Sequence, residues 1–261
     1  MSNLVEIRRS GPVGSLVLND PGTVNSLSLQ MTCALRAAFA ELAGDDGIRV
    51  VLLEGAGQNF SAGGNLNDAL ACAREGPRGA ARFMASFNAL IRAAFYFPKP
   101  MIGVVRGTAA GGALGLLLCS DIILLAHGAR IMQAFIHVAL APDCGTSTLL
   151  ARRVGVGRAK ELTLTGRQVS AEEACRIGLA DELHADDRLG PQAMRLAETI
   201  ASKSPLAVTH TKQLMQRAQF AVFEDALELE GSAQALLMQS SDFREGVAAF
   251  REKRRAVFTG S

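Results

Sequence analysis

Residues 60–66 read FSAGGNL and residues 107–115 read GTAAGGALG, and the rest of the chain can be organised around these two glycine-rich stretches. Each follows a short aliphatic run typical of a buried strand, RVVLL at 49–53 and MIGVV at 101–105. Glycine lets a ligand approach the backbone, and a helix that begins near Gly112 would direct unpaired amides at an anion. Two such donors would make an oxyanion hole. The alternative is that the first stretch is an ordinary turn and the second a close-packed helix. The two stretches alone do not decide between this alternative and an oxyanion hole.

The pattern outside the glycine-rich stretches favours an α/β fold. Further strand-like runs lie at 13–18 (VGSLVL) and 122–125 (IILL), and helix-length segments lie at 28–42 and 78–97. Strands that alternate with helices favour a mainly parallel sheet over a sandwich. Most of the chain is therefore predicted to form an α/β core.

The pattern changes toward the C-terminus. From Pro191 onward, apolar residues recur at helical spacing and no strand is obvious. We therefore divide the chain into an α/β core, residues 1–198, and a helical C-terminal region, residues 199–261. The apolar stripes comprise Met194, Ala197 and Ile200 and, further on, Leu227, Leu229 and Leu236.

The composition argues against several classes of function. The 261 residues carry 27 basic and 25 acidic side chains, so no overall field favours nucleic acid or a membrane surface. The longest uncharged apolar run, residues 107–120, is shorter than the roughly 20 residues that a membrane span needs. Five cysteines without Cys-x-x-Cys spacing argue against a disulfide framework and a structural zinc site. We expect no metal, no export signal and a reducing, cytoplasmic compartment.

The two glycine-rich stretches and three further motifs, taken in order along the chain, resemble the crotonase (enoyl-CoA hydratase/isomerase) superfamily. The further motifs are residues 141–145 (APDCG), 164–167 (LTGR) and 245–253 (EGVAAFREK). The resemblance implies a ββα-spiral core with a C-terminal helical oligomerisation region. It also implies a homo-trimer or a dimer of trimers that acts on acyl-CoA thioesters. Coenzyme A would be part of the substrate, and no separate cofactor is expected.

The same resemblance assigns the residues of a site. The backbone N–H groups of Gly64 and Gly112 would be the oxyanion donors. A lysine at position 253 would attract the nucleotide phosphates of a coenzyme A that is bound largely by a neighbouring subunit. The residues expected to bind substrate or coenzyme A are Ala62, Gly63, Asn65, Asn25, Phe135, Phe250 and Lys253.

The acid and base residues depart from the hydratase pattern. Hydratases of the family place two glutamates where this chain has Gly115 and Phe135, so paired acid and base addition of water has no obvious agents. The carboxylate that is left nearby is Asp143. Residues 133–145 resemble most closely the 1,2-epoxyphenylacetyl-CoA isomerase type of phenylacetate catabolism. The resemblance therefore implies an isomerase that uses a single aspartate as a proton shuttle.

The role of Asp143 has a competing explanation. We expect this aspartate to be the base, with its pKa raised by an apolar pocket that includes Phe135. The alternative is a turn or capping residue before a helix that begins near Ser147. His137 could carry a proton and Cys144 could be reactive, but a hydrogen-bonded core histidine and an unactivated thiol are the alternatives for these two.

Two other functions stay open at this point. The chain could be a hydratase-like enzyme that recruits another acid or base, or a catalytically silent subunit that binds acyl-CoA. Phe87 and Asn88 could line an acyl pocket, since both fall on the helix-length segment at 78–97. The acyl group itself cannot be derived from spacing.

Overall fold

A computed structural model describes residues 4–218 and 241–261 of the chain. Within these ranges, the strands form one six-stranded and one three-stranded sheet. The larger sheet has the order β1 (Val5–Ser10), β2 (Val13–Leu18), β3 (Val50–Gly55), β4 (Met101–Val105), β6 (Ile122–Ala126) and β9 (Glu182–His184). The smaller sheet has the order β5 (Thr108–Ala110), β7 (Arg130–Met132) and β8 (Gln168–Ser170).

Helices follow the strands along most of the chain. Two short 3-10 turns, Pro21–Thr23 and Ala134–Val138, add to the α-helices. The α-helices of the described ranges are α1 (Leu29–Gly44), α2 (Leu66–Arg74), α3 (Pro77–Phe95), α4 (Gly112–Leu117), α5 (Thr146–Val154), α6 (Val156–Thr165), α7 (Ala171–Arg176), α8 (Asp186–Ala201), α9 (Pro205–Ala218) and α10 (Ser241–Glu252).

The sequence pattern predicts the longer strands and helices but not the short strands. The four predicted strands are present as β2, β3, β4 and β6, and the two predicted helices are present as α1 and α3, all to within two residues. Strands β5, β7, β8 and β9 have three residues each. So few residues display no periodicity, which is why the pattern does not reveal these strands.

The larger sheet is parallel except for the pairing of β1 with β2. Leu52 and Val104 lie on the face that packs against α8, whereas Val51 and Leu53 belong to the larger core on the other face. Both faces of these strands are therefore buried. This burial explains why the strands read as continuous aliphatic runs rather than as alternating ones.

The predicted boundary between residues 198 and 199 needs correcting, because it falls inside α8. Ala197 and Ala201 lie on either side of that boundary, and both are buried against the same face of the larger sheet. The helix is thus part of the core up to its end at Ala201. Beyond it, the described residues form α9, α10 and connecting segments, in agreement with a helical C-terminal region. Leu227, Leu229 and Leu236 lie outside the described residues.

The long apolar run at residues 107–120 belongs to the core. It forms β5 and α4, and every residue of α4 is buried. The prediction of a buried segment rather than a membrane span is in line with this placement. Among the residues that the structure describes, no helix is both long and apolar enough to cross a membrane.

A buried lysine attaches α9 to the core. Lys212 is 7% exposed, and its Nζ donates hydrogen bonds of 2.8 Å to the carbonyl oxygen of Lys99 and to Oδ2 of Asp121. The same Oδ2 accepts a hydrogen bond of 2.7 Å from the backbone N–H of Met101, at the start of β4. One ammonium group therefore holds together the entry to β4, the residue before β6 and α9.

We predict that Lys212→Ala lowers the free energy of unfolding by about 1–3 kcal/mol, because it leaves partly buried acceptors without their donor. Urea unfolding of the two proteins measures this difference. Lys203→Ala removes an exposed lysine nearby and should change stability by no more than about 0.5 kcal/mol. Equal effects of the two substitutions would contradict this account of Lys212.

Candidate active site

A cavity of about 400 Å³ lies beside the N-terminus of α4. It is lined by residues from five segments of the chain: residues 23–26, the loop before α2 with the start of that helix, α3, the start of α4, and the stretch from Ala134 to Asp143. The residues named from the sequence that line it are Ala62, Gly64, Asn65, Gly112, Phe135 and Asp143. Most of the predicted site is therefore brought together around a single space.

The two glycine-rich stretches lie against each other. The backbone N–H of Ser61 donates to the carbonyl of Thr108 at 2.9 Å, and the N–H of Ala110 donates back to the carbonyl of Ser61 at 3.1 Å. Gly63 has a φ of 98°, and a Cβ built on it would lie 2.6 Å from the carbonyl oxygen of Ala110. Only glycine fits there. Gly63 thus permits the close approach and does not itself line the cavity.

Gly64 and Gly112 have the properties of oxyanion donors. Gly111, at φ 51°, precedes the first helical residue Gly112, whose N–H is one of the unpaired amides of a helix start. Within the described part of the chain, neither the N–H of Gly64 nor that of Gly112 has an acceptor. A Cβ built on either glycine would lie 3.6 Å from the ring of Phe87. Both glycines therefore lie beside the same ring at the cavity wall, and their unpaired N–H groups suit an oxyanion hole.

Asn25 does not line the cavity, which corrects the expectation that it binds substrate or coenzyme A. The residue is 0% exposed and has a φ of 50°. Its Nδ2 donates to three backbone carbonyls within residues 56–60, and its Oδ1 accepts from the N–H of Asp20. Its own carbonyl accepts the hydroxyl of Ser61 at 2.6 Å. Asn25 therefore supports the loop from behind, and its side chain has no group left for a ligand.

Asn65 has two tasks at the cavity wall. Its Oδ1 accepts from the N–H groups of Asn67 and Asp68 and so caps α2, while its Nδ2 donates to Oγ of Ser26. Helix α2 was not predicted from the sequence. The pattern that indicates it is the capping residue itself, because an asparagine followed three residues later by an acidic side chain is typical of a helix start.

The Asp143 side chain is half-buried and does not cap a helix. Helix α5 begins after Gly145 with no side-chain cap, and only the backbone carbonyl of Asp143 accepts hydrogen bonds, from the N–H and Oγ1 of Thr146. The capping role for this side chain is therefore excluded. Its Oδ1 is shielded from solvent and has no hydrogen-bond partner in the described ranges. Burial raises the pKa of Asp143, against a smaller opposing effect of the Cys144 thiol.

Much of the remaining wall of the cavity is apolar, and none of its described residues is charged. Phe83 and Phe87 pack with ring centroids 4.7 Å apart, and Phe135, Val138 and Leu140 also line the space. No lysine or arginine whose side chain the structure describes lines this cavity. The space therefore suits an uncharged group. Phe87 lines the cavity, as the sequence suggested, whereas Asn88 is exposed and does not.

His137 and Cys144 take structural positions. Nε2 of His137 lies 2.8 Å from the carbonyl oxygen of Gly166, so the backbone holds the ring. Cys144 is buried, and burial raises the pKa of its thiol, which therefore stays protonated. Among the described residues, no group of three or more His, Cys, Asp or Glu side chains could hold a metal ion.

Phe250 and Lys253 lie at the C-terminal end of the chain, and Lys253 does not line the cavity. The backbone of Phe250 belongs to α10, and its side chain is outside the described part of the structure. Lys253 follows α10 directly, is exposed and has a φ of 53°. The resemblance assigns both residues to a coenzyme A bound largely by a neighbouring subunit. Their role stays a prediction.

Comparison with known proteins gives the family. A model of the enoyl-CoA hydratase/isomerase family matches residues 8–261. The 1,2-epoxyphenylacetyl-CoA isomerase of Escherichia coli (strain K12) is 37% identical over 253 residues, covering 95% of each chain. The trans-2-decenoyl-acyl-carrier-protein isomerase of Streptococcus mutans is 30% identical over 249 residues, again covering 95% of each chain.

Comparison of the fold with solved structures indicates the same family. The crystal structure of an enoyl-CoA hydratase from Polaromonas sp. JS666 superimposes with a TM-score of 0.94 at 29% identity, covering 98% of this chain and 99% of that one. The crotonase-like α/β fold expected from the sequence is thereby confirmed. With a family model over nearly its whole length and relatives of matching length, the chain belongs to the enoyl-CoA hydratase/isomerase family.

Proposed function

We propose that this member of the family is an acyl-CoA isomerase in which Asp143 carries a proton between two positions of the acyl group. One observation carries the proposal: a half-buried carboxylate, one oxygen of which has no hydrogen-bond partner in the described ranges, lines the same cavity as two unpaired backbone amides. A group with a perturbed pKa in such a cavity is a candidate for acid and base chemistry. The cavity lining offers no second carboxylate within the described residues.

In the proposed mechanism, the thioester oxygen accepts hydrogen bonds from the N–H groups of Gly64 and Gly112. These donors stabilise the negative charge that develops when a proton leaves the acyl group. Asp143 removes that proton and returns it to another carbon while the dienolate is held in place. The raised pKa of Asp143 makes it a stronger base than a free aspartate.

The proposed substrates are an enoyl-CoA, for a double-bond shift, or a ring-epoxide aryl-CoA. The uncharged, aromatic wall around Phe83 and Phe87 supports an apolar acyl group of either kind. The E. coli relative is named for a ring-epoxide substrate, which favours a role in phenylacetate catabolism over one in fatty acid metabolism. Coenzyme A is part of the substrate, and no separate cofactor is needed. A cytoplasmic homo-trimer or dimer of trimers completes the proposal.

A hydratase-like reaction is a weaker candidate because of the surroundings of Gly115. A Cβ built at this position would overlap the carbonyl oxygen of Cys144 and lie 2.6 Å from its Cβ. The space for a glutamate is therefore filled by backbone rather than empty. A silent binding subunit is also disfavoured, because a carboxylate with a shielded, unpartnered oxygen costs stability and would have no role in a protein that only binds its ligand.

We predict that Asp143→Asn lowers kcat for isomerisation of 3-enoyl-CoA or of the ring-epoxide substrate by about 10²–10⁴-fold, because the amide cannot accept a proton. Spectrophotometric assays should give a KM close to that of the unaltered protein. Asp46→Asn, at an exposed aspartate, is the matched control and should retain full activity. An Asp143→Asn protein with normal kcat would refute the assignment of the base.

The same substitution should raise stability at neutral pH. The pKa of Asp143 is higher in the folded chain than in the unfolded chain, so the carboxylate destabilises the fold once the pH exceeds the unfolded value. Asp143→Asn is therefore expected to raise the midpoint of thermal unfolding by a few degrees at pH 8. The difference should shrink as the pH is lowered toward 4. A difference that stays constant with pH would argue against a buried, ionised Asp143.

Introducing a glutamate at position 115 should not create a hydratase. Gly115→Glu is expected to lower the free energy of unfolding by at least about 1–3 kcal/mol through overpacking against Cys144. Thermal unfolding and an assay for 3-hydroxyacyl-CoA formation test this expectation. Gly128→Glu is the control, because a Cβ there meets nothing within 4 Å. Efficient hydration by a stable Gly115→Glu protein would contradict it.

A further inference from the structure

The residue after Asp143 is packed into a glycine-lined face of α4. Gly112 and Gly115 are one helical turn apart, so their Cα atoms lie on the same face of the helix. A Cβ on Gly112 would lie 3.2 Å from Sγ of Cys144, and a Cβ on Gly115 would lie 2.6 Å from Cβ of Cys144. The Cys144 residue thus occupies the volume that two side chains of α4 would otherwise fill.

The backbone of Cys144 is held in a conformation that it would not adopt freely. Its φ is 53°, in the left-handed region that non-glycine residues rarely occupy, and Gly145 follows at φ 73°. Such a conformation is unfavourable for a non-glycine residue and persists when packing enforces it. Cys144 is 2% exposed and fits against α4, which supplies that packing. The strained residue directly follows the carboxylate of the proposed mechanism.

The thiol is suited to this position because it is small and only weakly polar. It fills space against α4, and burial keeps it protonated. The Cys144 thiol is a poor nucleophile for the same reason, since the thiolate is the reactive form. Its hydrogen bond with Asp143 lowers the pKa of that carboxyl and so opposes the effect of burial. A favourable contribution to catalysis must therefore come from where Cys144 holds its neighbours.

We infer that Cys144 is a positioning residue that fixes the Asp143 carboxylate relative to the backbone amide of Gly112. The contact joins the loop that carries the base to the helix that carries an oxyanion donor. Any change in that contact alters the distance over which the proton must move, and misplacement by about 1 Å can lower a rate by roughly 10²-fold. This inference rests on the proposed isomerase function.

A rescue experiment tests the contact. Gly112 does not have a positive φ, so Gly112→Ala keeps its N–H and adds only a methyl group against Sγ of Cys144. We expect Gly112→Ala and Cys144→Ala each to lower kcat by about 10–100-fold, with KM and the affinity for a saturated acyl-CoA nearly unchanged. The double variant should regain most of the lost kcat, because the added methyl group takes the place of the sulfur.

Two further variants control for folding and for thiol chemistry. Cys144→Ser is close in size and should retain most of the kcat that Cys144→Ala loses. Cys33→Ala removes an exposed thiol on α1 and should leave kinetics and thermal unfolding unchanged. Thermal unfolding of every variant is measured alongside, so that a loss of fold is not read as a loss of positioning.

The outcomes separate this inference from the function on which it rests. If Asp143→Asn is inactive and the double variant is no faster than Gly112→Ala, the inference is overturned while the function stands. The same holds if Cys144→Ala keeps full kcat, or if Cys144→Ser is as slow as Cys144→Ala. If Asp143→Asn keeps full activity, the proposed function is wrong, and the inference that rests on it falls as well. Recovery of kcat in the double variant, with KM unchanged throughout, supports the inference.

Discussion

The close approach of residues 61–64 to residues 108–112 is the constraint on which the cavity depends. Ser61 forms backbone hydrogen bonds in both directions with the other stretch, and Gly63 lets the two backbones touch. Asn25 supports the first stretch from behind with a buried side chain. Because both candidate oxyanion donors lie on these stretches, the contacts that complete the core also place the donors side by side.

The site retains a carboxylate that the fold does not need. Asp121 is tied to Lys212 and to the backbone of β4, whereas Oδ1 of Asp143 is shielded from solvent and has no partner among the described residues. Burying a charge without a partner costs free energy. The same burial raises the pKa of Asp143 and so makes it a better base. At this residue, the burial that favours the proposed chemistry therefore lowers the stability of the fold.

The sequence predicts those features that depend on local pattern or on a shared motif. Buried strands reveal themselves as aliphatic runs, and Gly64, Gly112 and Asp143 follow from motifs of the family. What it does not predict depends on contacts between distant segments. The buried role of Asn25 requires knowing which carbonyls surround it, and the filling of the space at Gly115 by Cys144 requires the packed fold. The end of α8 at Ala201 is not predicted, because no change of composition marks where that helix leaves the sheet.

The central claim is that one carboxylate, in the same cavity as two unpaired backbone amides, moves a proton without adding water. The direct measurement is to incubate the unaltered protein with 3-enoyl-CoA and, separately, with a ring-epoxide aryl-CoA in deuterium oxide, and to follow the products by mass spectrometry. The account predicts an isomerised product from at least one substrate, with no mass gain from water. Formation of a hydroxyacyl-CoA product, or no turnover of either substrate, would contradict it.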